Sequence, residues 1–264
     1  MNCRQLIHRL ELLCPKEHAE HWDNPGLICG DFEKDIKKVY IALDATSDVI
    51  EDAVSRNADF ILTHHPLIFS GLKKIHTDDF TGRRIIKMIQ SGICCYAMHT
   101  NFDVDVMGTL AADMLGLSDQ GVLQVTRKDF VVSELVEYGI GRTGVLPHAM
   151  SLAECAQLVK RTFDIPNVRI FGNPDASVRT VAICPGSGKD LIDDVKRTRA
   201  DVYISGDFGH HNGIDANEDG ILVIDAGHQG IEHIFIDYMK TYIEEHCEDI
   251  DVCTEKSCAP FITI

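Results

Sequence analysis

Basic residues are in short supply. Lys and Arg total 25 against 41 Asp and Glu, so the formal charge is −16 at pH 7. A surface of that sign repels polyanions, which disfavours nucleic-acid coating and binding to anionic membranes. No segment approaches the ~20 consecutive apolar residues of a membrane-spanning helix. The N-terminal stretch has neither the apolar centre nor the small-residue cleavage site of a secretory signal. Ten cysteines are present, yet no two stand in C-x-x-C spacing, so zinc-knuckle and thioredoxin-type motifs are missing. A cytoplasmic chain with reduced thiols is expected. Cys247, Cys253 and Cys258 cluster near the end, where ordinary packing competes with metal binding or redox sensing.

What is present is ordinary globular material: 45% hydrophobic and 25% charged over 264 residues. That length holds one large or two modest domains. The first part alternates strands and helices. Val39–Leu43, Phe60–Leu62 and Ile93–Met98 are apolar runs of buried-strand type. Ser47–Asn57, Gly82–Gln90 and Met107–Leu117 carry helical apolar stripes. This order predicts an α/β fold with a mostly parallel sheet. Between Asp129 and Val145 the pattern changes to paired strands with tight turns. Ser151, with Glu154 three residues on, forms a capping box at the start of a helix. Further strands are read at Val178–Cys184, Val202–Ile204 and Ile221–Ile224. Two α/β domains are therefore expected: a discontinuous first one, residues 1–126 plus 221–264, and a second one, 127–220.

Thirteen histidines stand out, several grouped with carboxylates. Three groups follow predicted strands, where open α/β sheets form their sites. His64 and His65 come directly after Phe60–Leu62 and Thr63. Neighbours on extended backbone point to opposite sides, so the two rings can address two ions or serve as a structural pair. His99 and Asp103 follow the third strand. Asp103 can ligate a metal or cap the next helix, and His99 can ligate or support a ligand. His228 and Glu232, four apart after Ile221–Ile224, lie on one side of a helical turn. His233 reads as a bystander. The mixed nitrogen and oxygen set suits Zn, Fe, Mn or Ni without selecting one. His210 and His211 follow another strand and can carry protons at a site mouth or lie in an exposed loop. Cys184-Pro185-Gly186-Ser187-Gly188-Lys189-Asp190 departs from the P-loop pattern and reads as a tight turn.

Taken together, these motifs resemble the GTP cyclohydrolase 1 type 2 homolog family, the NIF3-like proteins. The resemblance runs through His21-Trp22-Asp23-Asn24-Pro25-Gly26-Leu27, Leu43-Asp44-Ala45-Thr46, Thr63-His64-His65-Pro66 and His99-Thr100-Asn101-Phe102-Asp103. It continues in Ser205-Gly206-Asp207 with His210-His211, and in Asp225-Ala226-Gly227-His228 with Glu232. It implies two divalent metal ions per chain, His65 and Asp103 on one, His64 and His228 on the other, and Glu232 touching both. It also implies a toroidal homohexamer and the compact form without an inserted domain. Ile231 departs from the small hydroxyl residue expected before the Glu.

Two functions follow. One is a metal-dependent hydrolase of GTP or a related nucleotide or phosphoester, using a metal-bridging hydroxide, with His210 and His211 as proton carriers. On GTP its first target would be C8 of the purine. The other is a non-catalytic, metal-binding hexameric adaptor or metal-handling protein.

Overall fold

A computed structural model describes residues 1–256 and 260–261 of the chain. It divides into two compact units, residues 1–102 with 235–256, and Asp103–Ile234. Each has its own sheet.

The first unit holds strands β1 (Gly26–Cys29), β2 (Lys38–Ala42), β3 (Phe60–Thr63) and β4 (Cys94–Ala97), with the last described strand, β11, at Asp251–Thr254. Their order is β1-β4-β3-β2-β11. All neighbours pair in parallel except β1, which runs antiparallel to β4. Every residue of β3 and β4 is buried. Unbroken apolar runs are what a parallel sheet covered on both faces requires, so these two strands were readable from sequence. The N-terminal helix Cys3–Leu13 buries Leu6, Ile7 and Leu10 and is closed by a capping box between Asn2 and Gln5. The helices at Ser47–Ser55 and Phe80–Gln90 end within two residues of the stripes that predicted them, apart from two residues added at the start of the second.

The second unit holds β5 (Ser118–Val131), β6 (Glu134–Ser151), β7 (Arg169–Phe171), β8 (Ser177–Ser187), β9 (Val202–Gly206) and β10 (Leu222–Asp225), in the order β5-β6-β8-β9-β10-β7. β8, β9 and β10 are parallel, and the other pairs are antiparallel. The helix Leu152–Thr162 starts at the expected box, with Ser151 Oγ accepting from the Glu154 N–H.

Here the domain boundaries read from sequence need correction. Thr126 lies inside β5, which pairs with β6 from Ser118 to Val131, and one continuous ladder cannot be split between domains. The strand expected to return to the first unit is β10, yet it pairs with β9 from Leu222↔Val202 to Asp225↔Ser205. The reason is local. β9, the helix His210–Glu218 and β10 form one strand–helix–strand unit, and such neighbours pair in the same sheet. The helix carries almost no apolar stripe, burying only Gly213 and Ala216, so its sequence gives no helical signal. The first unit is still discontinuous, but the chain re-enters it near Phe235. Cys258 lies outside the described residues. Cys247 is buried, and the Cys253 thiol points at the Val39 carbonyl, 3.6 Å away.

β5 and β6 are joined by a two-residue turn, Val132-Ser133, with both residues at positive φ, 49° and 70°. That is the hairpin turn whose preferred residues are Asn-Gly, and a β-branched valine is strained there. Val132 is also 93% exposed, so its side chain gains nothing from packing. Val132→Asn is therefore expected to stabilise the second unit by about 0.5–1 kcal/mol. Chemical denaturation checks this: the midpoint should rise, and an unchanged or lower midpoint contradicts the strain.

Candidate metal centre

The first unit gathers three histidines at strand ends. Beyond β3 the ladder continues, with His64 N–H donating to Ala42 O and His65 N–H to Leu43 O. The Thr63 hydroxyl donates to the His65 carbonyl at 2.8 Å and clamps the turn. His99 follows β4. Ligand-type atoms of His64, His65 and His99 lie within 4.8 Å of one another.

What fixes their chemistry is the far side of each ring. His64 is fully buried, and its Nδ1 lies 2.8 Å from the Met98 carbonyl. A carbonyl only accepts, so Nδ1 carries the proton and Nε2 the lone pair. His65 Nδ1 is 3.1 Å from Asp44 Oδ1, and His99 Nδ1 is 2.7 Å from Asp23 Oδ1. Asp23 also accepts from the Thr100 N–H and hydroxyl. Burial works to raise its pKa, but the hydrogen bonds from His99 and Thr100 win and hold the carboxyl at about 2. It is thus ionised at neutral pH and orients His99.

The second unit carries the same device. Gly227 ends the turn after β10, and His228 opens the short helix His228–Glu232. His228 Nδ1 lies 2.8 Å from Asp207 Oδ2, and its Nε2 lies 3.1 Å from Glu232 Oε2. A neutral imidazole has one N–H for these two carboxylate contacts. The second contact needs another positive charge, a proton or a metal ion. Two ligand atoms on one ion at ~2 Å stand about 3 Å apart, so the spacing suits a shared metal. Glu232 is only 4% exposed. Asp103 begins the π-helical turn Asp103–Met107, a form common at functional sites. Burial pushes the Cys184 thiol up, and the Asp103 and Glu232 carboxylates push it the same way.

Glycine backbone makes room for Glu232. Gly186 has φ +74°, and a Cβ there would stand 2.0 Å from Glu232 Oε1. A Cβ on Gly206 would stand 2.7 Å from the Gly186 carbonyl oxygen and from the His228 backbone nitrogen. Asp225, buried at the end of β10, accepts from the Gly227 and Phe208 N–H groups and pairs with Arg169. The stretch that departs from a P-loop thus begins as the end of β8, shaped to seat a carboxylate, and runs into a 3-10 turn at Lys189–Leu191.

Sequence reading missed the orienting carboxylates Asp23, Asp44 and Asp207. For Asp44 and Asp207 a signal existed: each falls one or two residues beyond a parallel strand, as His64 does. Asp23 lies in a loop, and its one signal is its place in the His21–Leu27 motif. His210 and His211 are exposed at the start of their helix, ring centroids 5.2 Å apart. Among the described residues they join no metal-type cluster. His233 Nδ1 lies 3.3 Å from Gln229 O within its own helical turn.

Fold and site together define a two-unit α/β protein whose histidine and carboxylate groups are suited to divalent metal. Residues 1–259 match the Duf34/NIF3 (NGG1p interacting factor 3) family, and the chain belongs to it. A GTP cyclohydrolase 1 type 2 homolog of Clostridium acetobutylicum is 36% identical over 234 residues, covering 88% of this chain and 85% of its own. One of Streptococcus pneumoniae is 31% identical, covering 99% of each. Among solved structures, a Bacillus cereus protein related to NIF3 superposes with TM-score 0.90 at 25% identity, covering 100% of this chain and 99% of its own. Reduced HcgD from Methanocaldococcus jannaschii gives TM-score 0.82 at 28% identity, covering 97% and 98%.

Gly186→Ala tests the carboxylate seat. A side chain at that φ costs of order 1–3 kcal/mol, and the Cβ must also displace Glu232. The thermal midpoint should fall relative to the parent protein. An unchanged midpoint contradicts the close approach.

Proposed function

We propose that the chain is a metal-dependent hydrolase acting on GTP or a related nucleotide or phosphoester. In this reading His65 and Asp103 hold one divalent ion, His64 and His228 a second, and Glu232 touches both. The observation that carries it is the oxygen acceptor that stands behind each ring. His64, His65 and His228 each direct Nδ1 at an oxygen acceptor, which makes Nε2 the ligand atom of this reading. Divalent ions held there would acidify water and offset the charge of an anionic substrate. His64 and His65 orient from a buried strand end, and Glu232 adds negative charge beside Gly186. His210 and His211 are the proton carriers of this reading, and both are exposed. The substrate class is supported by the names of the curated relatives. A homohexamer in the cytoplasm completes the proposal. Among the described residues no helix is long and apolar enough to cross a membrane.

Metal analysis of the purified protein, run beside His65→Ala and Glu232→Gln, tests this reading. The parent should hold about two ions per chain and each variant fewer. Removing an orienting carboxylate, as in Asp44→Asn or Asp207→Asn, should weaken metal affinity by about 10–100-fold. A metal-free parent, or variants that keep both metal and turnover, would overturn it. Full occupancy with no turnover of any nucleotide or phosphoester would favour the adaptor reading instead.

A further inference from the structure

Two large aromatic side chains of the first unit stay open to solvent beside the histidine cluster. Trp22 is 49% and Phe69 51% exposed. Their ring centroids are 5.8 Å apart with planes at 43°, so they form an angled wall. His99 meets both edge-on, 6.2 Å from Trp22 and 6.3 Å from Phe69. The same His99 lies 5.2 Å from His64 and 5.5 Å from His65. The wall therefore stands one imidazole away from the candidate metal ligands.

The wall is held in place. Asn24 Nδ2 donates to the Ile68 carbonyl at 2.6 Å, tying the Trp22 loop to the Phe69 loop. Asp23, between Trp22 and Asn24, is fixed by His99 and Thr100. Fixing two half-exposed aromatic rings keeps apolar surface in water, which core packing would not require. A rigid aromatic surface is what a flat heteroaromatic ring stacks on.

We propose that Trp22 and Phe69 form a stacking platform for the planar heteroaromatic ring of the substrate, a purine or a similar base. The ligand is then bipolar, with its ring on the wall and its anionic end toward the metals. Only that second placement rests on the hydrolase reading; the platform rests on the aromatic geometry. The bulk charge of −16 does not oppose it, since a base is neutral.

The test needs no label, because Trp22 is the sole tryptophan in the chain. Full-length, metal-loaded protein is titrated with guanosine, GTP and pyrophosphate while tryptophan emission is followed. Calorimetry gives the affinities in parallel. Guanosine and GTP should quench Trp22. Phe69→Ala should weaken both by about 5-fold or more, the low end for loss of one stacking ring, and leave pyrophosphate affinity unchanged. Trp22→Phe should retain purine binding by calorimetry, since the π-face remains. The proposal is overturned if neither purine changes the emission at saturation, or if Phe69→Ala binds purines as the parent does. It is also overturned if the emission tracks protein concentration alone, which marks the wall as a contact between copies. If pyrophosphate fails to bind but guanosine still quenches, the hydrolase reading fails and the platform stands.

Discussion

Each histidine of the candidate centre depends on an oxygen placed behind it. A neutral imidazole carries one proton on either of two nitrogens, and only the other nitrogen can bind metal. His64, His65, His99 and His228 all have Nδ1 against an oxygen acceptor: the Met98 carbonyl, Asp44, ionised Asp23 and Asp207. That placement favours one tautomer for all four rings, with Nε2 as the ligand atom. Without those oxygens each ring would be free to turn or to exchange tautomers, and the ligand set would not be preformed.

The sheets exist to put those oxygens and rings in place. β2 delivers Asp44, β3 delivers His64 and His65, and β4 delivers Met98 and His99, all from adjacent parallel strands in register. The second unit repeats the plan with β9 delivering Asp207 and β10 leading to His228. Bare backbone at Gly186 and Gly206 lets the strand ends and the helix start approach closely enough to bury Glu232. Parallel strands suit this work because their carboxyl ends lie side by side, so single residues beyond them become neighbours.

The sequence revealed these parts unequally. β3 and β4 were legible because strands buried on both faces read as unbroken apolar runs. His64, His65, His228 and Glu232 were legible because they follow such strands. The partition into units was harder to see. A strand's own residues do not say which sheet it joins, and β10 joined β9 through the helix His210–Glu218, which almost lacks an apolar face. β1 pairs antiparallel at the sheet edge and is only four residues long, too short for a periodic signal. The orienting role of Asp23 depends on a contact 76 residues away along the chain, which no local pattern encodes.

The protein itself sets the histidine tautomers. Long-range proton–nitrogen NMR on 15N-histidine-labelled protein, before and after adding zinc, measures this directly. His64, His65, His99 and His228 should be protonated on Nδ1 at neutral pH, and zinc should shift Nε2 of His64, His65 and His228. Rings protonated mainly on Nε2, or zinc shifts at Nδ1, would contradict it.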